Sequence, residues 1–472
     1  MANDATPGPA TLPTEITERY SSFSRRQQNT IIGLAALGGW FSSISSFIYF
    51  PAIPFLTSYL IMSGIFPSIM GDAADRFGRR PVFLVALVVD FGANIGLALQ
   101  SHFVLLFVFR MLQSAGISGT FSTAYGILGD LFTPAERGGY SGIIAFFLNT
   151  PPSLGPVLSG LLLLRWTWRS IFWLLAVSSA LCLAVMAPFL PEMARSIVGN
   201  GSSPAKSINK ALVPLMSPKK TQAAESSPAA PPREESRKFP NPLAALKLLR
   251  IPGTAIILLT YGINYTVYCC LQASLSTLFV NIYHVSGLVA GLVYLPFGVA
   301  VALSDLATGR LLDFNYKRTA AESGINVKER EATDLNNFPI ECARLRTVNL
   351  RVALSAVLVV GYGWALQARV SMAAPLVLQF LIGLTIQVVF TALNTLLVDL
   401  HPECRSTAQA ACNFVRCEMA ATCLAGLDAM IQRLGPGWSF LLFGATLGLE
   451  FLMLLLVQLR GMKWRCSGPQ GS

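Results

Sequence analysis

Charged residues cluster at positions 71–80, GDAADRFGRR, between two long apolar stretches. An aspartate beside arginines can form charge-assisted hydrogen bonds, which are stronger than those between neutral groups. The spacing of Gly71 and Asp75 returns in Gly309 and Asp313, within GRLLDFNYKR, at the corresponding place in the second half of the chain. A glycine also lets two helices approach closely. The two copies therefore predict two structural repeats with a charged contact at corresponding helix ends.

Further charges stand inside the apolar stretches, where a charged side chain costs about 2.5–3.5 kcal/mol on insertion scales. Residues of this kind line a pathway or pair with a partner. Glu418 is a candidate proton carrier, because burial favours the neutral form of a carboxyl group. Asp90 lies at a depth where it can pair with Arg110. The alternative is a helix-packing hydrogen bond for Arg110, contact with water for Asp428 and structural pairing for Glu450. The candidate charges are Asp90, Arg110, Arg416, Glu418, Asp428 and Glu450.

Membrane-spanning helices must position these residues. The chain has 472 residues, of which 53% are hydrophobic and 12% charged, about half the usual charged share of a soluble protein. The apolar residues form continuous blocks of about 17–26 residues, which suit helices rather than alternating β-barrel strands. We predict an all-α membrane protein with twelve spans, at about 31–50, 55–71, 82–100, 103–127, 139–163, 171–190, 252–279, 285–308, 349–367, 373–398, 407–430 and 437–459.

The net charge of +11 indicates topology and gives no reason to expect a nucleic-acid partner. Most Lys and Arg residues fall on one side of the membrane if both termini are cytoplasmic, as the positive-inside rule requires. A loop rich in Ser, Pro, Ala, Lys and Arg divides the chain and is predicted to be largely disordered. The predicted organisation is a cytoplasmic tail at 1–29, a six-helix bundle at 30–190, the cytoplasmic central loop at 191–250, a second bundle at 251–460 with a longer cytoplasmic loop at 309–347, and a cytoplasmic tail at 461–472.

The cysteines give no sign of metal or disulfide chemistry. None of the 9 cysteines lies in a predicted outer loop, so a disulfide framework is not expected. Cys269 and Cys270 are adjacent and lack the spacing of a metal site. We therefore expect no bound metal.

Several phrases resemble signatures of the major facilitator superfamily. GDAADRFGRR resembles its G-x-x-x-D-R-x-G-R-R/K loop motif, and RMLQSAGISG resembles R-x-x-Q-G-x-G, with Ser114 in place of one glycine. PSLGPVLSG resembles the antiporter signature G-x-x-x-G-P-x-x-G-G, with Pro151 and Ser159 in place of two glycines. TPAERGGYSG, FLPEMARSIVGNGS, GLVYLPFGV, NFPIECARLR and NTLLVDLHPE are similar to the fungal quinidine/multidrug-resistance branch of the twelve-span drug:proton antiporters.

The resemblance implies two pseudo-symmetric six-helix bundles around a central cavity, with alternating access by rocking of the halves. Arg110 matches the arginine that the family links to proton coupling. Asp90, which could pair with it, and Glu418, as a separate proton carrier, are further candidates for that role. The antiporter signature comprises Gly155, Pro156 and Gly160. A charged latch would join the halves at their cytoplasmic ends through Gly71, Asp75, Arg76, Gly78, Arg79, Arg80, Gly309 and Asp313. The expected substrate contacts are Trp40, Tyr49, Gln113, Tyr265, Gln272, Asn394 and Arg416.

We expect a monomeric secondary transporter in the lipid bilayer, in the plasma membrane or alternatively the vacuolar membrane, and no enzyme. It would export small organic molecules, such as xenobiotics or secondary metabolites, with the proton gradient in place of any cofactor. An organic-acid (dicarboxylate) exporter is a second interpretation, because Arg110 and Arg416 can bind carboxylates. A transport-inactive or sensory protein is a third. Only residues 51–54 separate spans one and two, so either this hairpin is tight or a segment is missing from the gene model.

Overall fold

The computed structural model describes residues 21–48, 53–199, 209, 247–322, 338–402 and 404–467. Within these ranges the chain forms α-helices, with short 3-10 turns and no strand. The helices of the first half are α1 Arg25–Phe47, α2 Ile53–Phe77, α3 Arg79–Leu99, α4 Phe103–Leu131, α5 Pro134–Asn149, α6 Pro151–Leu163, α7 Arg169–Phe189 and α8 Arg195–Val198. Those of the second half are α9 Pro252–Tyr283, α10 Gly287–Leu292, α11 Leu295–Glu322, α12 Ile340–Leu345, α13 Val348–Gln367, α14 Ala373–Leu400 and α15 Arg405–Ser467.

Each of the twelve predicted spans has a helical counterpart. Span five consists of α5 followed by α6, because Pro151 lacks an N–H and is suited to start a helix rather than continue one. Helix α15 covers spans eleven and twelve and kinks at Gly435, whose φ of 78° suits glycine. Among the described helices, seven are long and apolar enough by themselves to cross a membrane.

Three helices extend beyond the predicted boundaries. Helix α2 has 25 residues and runs through the 71–77 motif, so span two is longer than the predicted 55–71. Helix α11 continues to Glu322 and α15 to Ser467, into segments that we predicted as loop and tail. Hydropathy marks only the part of a helix inside the bilayer. Residues with good helix propensity continue the helix past that boundary.

Residues 191–199 also differ from the prediction that assigned them to a disordered loop. Glu192, Met193 and Ala194 are buried against the first half, and α8 follows them. The Glu192 carboxylate accepts hydrogen bonds from backbone amides and so fixes this segment. Apart from Asn209, residues 200–246 of the predicted loop lie outside the described residues, as do 323–337 of the second loop.

Each half has its own apolar core, and the two cores exchange side chains. Leu60 of α2 packs in the core of the second half, and Val398 of α14 packs in the core of the first. On the outside, large apolar side chains remain exposed, such as Val104 at 70% and Leu350 at 75%. Exposed apolar helix surfaces of this kind are covered by lipid in a membrane protein.

Two buried ion pairs mark one end of the helix bundle, called the charged end below. Arg79 at the start of α3 pairs with Asp130 at the end of α4 at 3.0 Å. Arg344 of α12 pairs with Asp399 at the end of α14 at 2.9 Å. The pairs occupy corresponding places in the two halves, which supports the internal repeat that the sequence predicts.

Candidate functional site

A small cavity of about 40 Å³ lies between the two halves. It is narrower than a typical small-molecule site, so the halves must move apart to admit a substrate. Its wall combines aromatic rings, amides and one arginine. The first half contributes Ser43, Leu148, Asn149 and Pro152, and the second half contributes Tyr261, Tyr265, Tyr268, Val301, Gln387, Phe390 and Arg416.

The second-half wall is an aromatic cluster around Phe390. Its ring centroid lies 5.1 Å from that of Tyr261, 6.1 Å from that of Tyr265 and 6.0 Å from that of Tyr268. The Cζ atom of Arg416 lies 4.5 Å from the Tyr265 ring centroid, a cation–π contact. Such a wall can hold an apolar or aromatic body, while the guanidinium binds an acidic or polar group.

The structure places the expected substrate contacts at different depths. Tyr265 and Arg416 line the cavity. Asn394 lies just behind the wall, where its Nδ2 donates to the Tyr261 hydroxyl at 3.0 Å. Gln272 is buried one turn beyond Tyr268, and neither of its amide atoms has a hydrogen-bond partner among the described residues.

Trp40 does not line this cavity. Trp40 makes an edge-on contact with Phe41 at 5.1 Å and packs against the apolar cluster that contains Leu97 and Phe172. Tyr49 lies outside the described residues. The expected contribution of span one to the cavity wall is therefore represented by Ser43.

Arg110, Gln113 and Asp90 share one buried polar network inside the first half. Arg110 donates to the Gln113 side chain and to the Ser45 carbonyl oxygen, the latter at 3.3 Å. Gln113 donates to Ser45 at 2.7 Å and to Asn94 at 2.6 Å. Asp90 accepts from the same two residues, at 3.4 and 3.0 Å. Ser45 and Asn94 thus connect the arginine to the aspartate.

Glu418 lies apart from this network, at the contact between α15 and α2. An ideal Cβ atom on Gly64 would stand 2.7 Å from the Glu418 Oε1 atom, so only glycine fits there without a shift of that side chain. Among the described residues, this oxygen has no hydrogen-bond partner. Glu418 therefore lies between the halves, whereas Asp90 and Arg110 lie within one of them.

The halves meet at the charged end through the contact of α5 with α11, which we call the seam. The Gly139 amide donates to the Asp313 carboxylate at 2.9 Å. A Cβ atom on Gly309 would stand 2.9 Å from the Gly138 carbonyl oxygen. Next to the seam, the hydroxyls of Ser141 and Thr395 lie 2.8 Å apart. The second copy of the Gly-x-x-x-Asp motif therefore joins the two halves.

The first copy lies at the end of α2 and the start of α3. The Glu192 carboxylate accepts from the backbone amides of Arg79 at 2.8 Å and Arg80 at 3.2 Å. Gly78 has a φ of 111°, and a Cβ atom there would stand 2.2 Å from the Glu192 Oε2 atom. These bonds, like the Arg79–Asp130 pair, lie within the first half. Gly71 and Asp75 belong to α2, and their side-chain positions lie outside the description. Arg76 is exposed.

The residues of the antiporter signature lie on α6, which also contacts the second half. Gly155 and Pro156 are buried, and Gly160 is partly so. A Cβ atom on Gly291 of α10 would stand 2.9 Å from the Pro156 carbonyl oxygen. Gly291 therefore allows the backbones of α6 and α10 to approach closely at Pro156.

Sequence reasoning missed several of the residues that hold this arrangement. Asp130, Asp399 and Arg344 form the buried pairs, although DLFTPAER and DLHPECR repeat the same D-L, Pro and Arg pattern at the ends of spans four and ten. That repetition was the available signal for the two aspartates. Glu192 had no comparable signal, because a single glutamate in a loop reads as an exposed charge.

Asp305 is the most important residue that the sequence did not single out. It is 0% exposed on α11 and accepts from Gln387 at 2.9 Å and Thr391 at 2.7 Å. Asn149 of the first half also donates to it, at 3.4 Å. The feature of the sequence that could have identified Asp305 is its position two turns before Asp313, on the same side of the helix.

Comparisons with known proteins agree with this architecture. The sequence profile described as Major Facilitator Superfamily matches residues 35–426. The chain is 34% identical to the "MFS-type transporter phiD" of a fungal species, over 94% of this chain and 70% of that protein. It is 33% identical to the "Multidrug transporter QDR2" of Candida glabrata, over 91% and 80%. The fold matches the human organic anion transporter MFSD10 (TETRAN) with a TM-score of 0.65 at 15% identity, covering 90% of this chain and 99% of that one.

These matches confirm the family and the fold that the sequence motifs predicted. The profile covers most of the chain, and the relatives match both halves. The chain therefore belongs to the Major Facilitator Superfamily, and it is a multi-pass membrane transporter rather than an enzyme.

Proposed function

We propose that the protein exports small amphipathic organic molecules, either xenobiotics or secondary metabolites, in exchange for protons. The central cavity carries this proposal, because its aromatic wall suits an apolar body and its arginine suits a polar group. The similarity to a protein named as a multidrug transporter supports the same substrate class. Alternating access would expose this cavity first to one side of the membrane and then to the other.

The proposed orientation identifies the side of the membrane from which the cavity is closed. The charged end carries most Lys and Arg residues of the loops and tails, so we assign it to the cytoplasm. Contacts at the seam and between Ser141 and Thr395 then separate the cavity from the cytoplasm in this structure. We assign the protein to the plasma membrane, where such a transporter would move its substrate out of the cell.

Exchange for protons rests on the buried polar groups inside the spans. Asp90 and Asp305 are both buried carboxylates, and each is surrounded by neutral hydrogen-bond donors. The protonation state of a buried carboxyl group depends strongly on its surroundings. A conformational change that alters these surroundings can therefore bind or release a proton. The signature residues Gly155 and Pro156 resemble those of antiporters.

Reconstitution tests the proposal directly. The purified chain is placed in liposomes, an imposed pH gradient is applied, and the uptake of two fluorescent probes, anionic fluorescein and cationic rhodamine 6G, is followed. We expect at least one dye to accumulate against its gradient and an ionophore that collapses the pH gradient to abolish the accumulation. Facilitated entry that ignores the pH gradient would exclude proton exchange, and entry no faster than in protein-free liposomes would exclude the exporter.

An organic-acid exporter is the second candidate, and Arg416 in the cavity wall favours it. Arg110 is bound inside the first half instead, so one arginine rather than two faces the cavity as described. Uptake of radiolabelled succinate in the same liposomes discriminates between the two candidates. Transport of succinate with exclusion of both dyes would favour the acid exporter.

A transport-inactive protein has less support than the sequence alone gave it. The short hairpin suggested an incomplete second span, but α2 is continuous from Ile53, and its apolar part up to residue 70 has 18 residues and is about 27 Å long at 1.5 Å per residue. That length crosses the hydrocarbon core. Sequencing the transcript across codons 50–60 tests whether a segment is missing, since residues 49–52 lie outside the description.

A further inference from the structure

We propose that Asp305 is the carboxyl group through which a proton controls the contact between the two halves at the charged end. This inference rests on the proposed exchange for protons and names the residue that would link the proton to the conformational change. Asp305 would be ionised when the seam is closed, and protonation would release the seam.

The position of Asp305 connects the cavity to the seam. Val301, Asp305, Gly309 and Asp313 follow one another at intervals of four residues, which places them on the same side of α11. Val301 lines the cavity, whereas Gly309 and Asp313 make the seam. The Asp305 backbone carbonyl is itself part of the seam, since a Cβ atom on Gly142 would stand 2.6 Å from its oxygen.

The hydrogen bonds of Asp305 join both halves. Gln387 and Thr391 donate from the second half at 2.9 and 2.7 Å, and Asn149 donates from the first half at 3.4 Å. Gln387 and Asn149 also line the cavity. Three neutral donors aimed at one carboxylate favour its ionised form and oppose the effect of burial, which favours the neutral form. A proton on Asp305 removes part of this acceptor capacity and weakens the bond that crosses between the halves.

Other buried carboxylates in the described spans make different contacts. Asp90 accepts from residues of the first half, and Glu450 accepts from Asn264 within the second half. Protonation of either would therefore act inside one half. Glu418 lies between the halves, but no hydrogen bond to its Oε1 atom joins them in the described chain.

The charged and titratable groups around Asp305 come from three helices. Tyr125 of α4 interacts with it electrostatically, and Arg416 of α15 lines the same cavity. Asp313 lies two turns away on α11, and α5 and α14 contribute the neutral donors described above. Within the described residues, no Lys, Arg or His forms an ion pair with Asp305. Protonation of Asp305 is therefore the direct way to change the charge at this position.

The sequence of events agrees with exchange. Ionised Asp305 holds the charged end closed while the cavity is open to the outside and releases substrate. A proton that enters from outside then neutralises the carboxylate, and the seam loosens. The cavity opens to the cytoplasm, the proton leaves Asp305 for water, and a new substrate molecule is bound before the seam closes again.

Hydrogen–deuterium exchange of the peptide covering residues 134–149 tests this proposal without a substrate. This peptide includes the Gly139 amide of the seam. In the wild type, exchange corrected for the intrinsic rate should rise as pD falls. In Asp305→Asn the corrected exchange rate of this peptide should be high at every pD. At high pD it should exceed the wild-type rate by about fivefold, the factor expected for the loss of one hydrogen bond. Asp305→Glu should restore part of the pD dependence.

Asp428→Asn is the matched control, since that carboxylate is exposed and bonds only to Gln432 of its own helix among the described residues. It should keep the wild-type exchange profile. A profile in Asp305→Asn that is identical to the wild type, with its pD dependence intact, would overturn the proposal. If the wild type transported neither dye, the exporter proposal would be overturned. The exchange result for Asp305 would remain valid as evidence on the contact between the halves.

Thr391→Val provides a second test that retains the carboxylate and so survives if Asp305→Asn fails to fold. It removes one donor to the ionised form, so the midpoint of the pD profile should move to higher pD. Thr385→Val, on the same helix, removes a hydroxyl that donates to the Leu381 and Ile382 carbonyls and accepts from Ser355, all within the second half, and should leave the midpoint in place. An unchanged midpoint in Thr391→Val would contradict the role of Asp305.

Discussion

The guanidinium of Arg344 is fully buried against the carboxylate of Asp399, with 2.9 Å between Nε and Oδ2. Its counterpart in the first half, Arg79 with Asp130, has the same atoms 3.0 Å apart. Arg344 also lies over the Tyr316 ring, at 5.1 Å from its centroid. The first pair fixes the end of α4 to the start of α3, and the second fixes the end of α14 to α12. They therefore make each half rigid at the end where the halves must separate.

Breaking the second pair should destabilise the protein more than replacing it. Arg344→Gln leaves Asp399 as an uncompensated buried charge, a change that costs about 3–5 kcal/mol. The double variant Arg344→Met with Asp399→Met removes both charges and should be more stable than Arg344→Gln. Thermal unfolding in detergent measures this order. Arg346→Gln is the control, because Arg346 pairs with Glu322 at the surface and its loss should leave Tm unchanged. A double variant less stable than Arg344→Gln would contradict the argument.

Gly78 should tolerate no side chain. Its φ of 111° is unfavourable for other residues, and a Cβ atom would stand 2.2 Å from the Glu192 carboxylate. Gly78→Ala should therefore lower stability by about 1–3 kcal/mol through strain and displace the carboxylate from the Arg79 and Arg80 amides. Thermal unfolding is again the measurement. Gly199→Ala is the matched control, since Gly199 has a φ of 60° but open space around it. Equal losses in both variants would show that strain alone matters.

The sequence predicted the fold well, because the information that sets it is local. Continuous apolar blocks mark the spans, and the repeated Gly-x-x-x-Asp motif at Gly71 and Gly309 marks the two halves. The ends of the helices were predicted less well. Helix α11 continues past Gly309 to Glu322. The residues beyond the apolar block still have good helix propensity, although their hydropathy is low.

The site was predicted in part, for a related reason. Arg110 and Arg416 stand out because a charge in an apolar block is conspicuous. Asp305 lies inside span eight close to its predicted end at 308, where a charge is less conspicuous than in mid-membrane. Its importance comes from Asn149, which is 156 positions away in sequence. Contacts between the halves of this kind are absent from the local pattern of a single chain.

Gly309 should be required for closure of the seam. A Cβ atom there would stand 2.9 Å from the Gly138 carbonyl oxygen. Its nearest neighbours are all backbone atoms of α5, which cannot move aside as a flexible side chain can. Gly309→Val should hold α5 and α11 apart, at a cost of about 1–3 kcal/mol for overpacking. We expect faster hydrogen–deuterium exchange of residues 134–149 and slower dye transport. Gly426→Ala is the control, as nothing lies within 4 Å of that position. Wild-type exchange and transport in Gly309→Val would show that the seam is not a tight contact.

Arg416 should determine which charge of substrate the cavity accepts. Its guanidinium lies over the Tyr265 ring and faces the cavity, so an anionic probe gains a charge-assisted hydrogen bond there. Loss of such a bond costs about 1.5–3 kcal/mol, so Arg416→Gln should raise the KM for fluorescein by about 10- to 150-fold. Arg416→Lys should fall between the two, because an ammonium keeps the charge but not the planar stacking.

The same variant should affect the cationic dye in the opposite sense. Removal of a positive charge from the cavity wall reduces repulsion, so the KM of Arg416→Gln for rhodamine 6G should stay the same or fall. Initial rates in proteoliposomes at a fixed pH gradient give both constants. Arg433→Gln, at an exposed position of α15, controls for a change in net charge and should leave both KM values unchanged. If Arg416→Gln weakened both dyes equally, Arg416 would support the shape of the cavity rather than select the charge of the substrate.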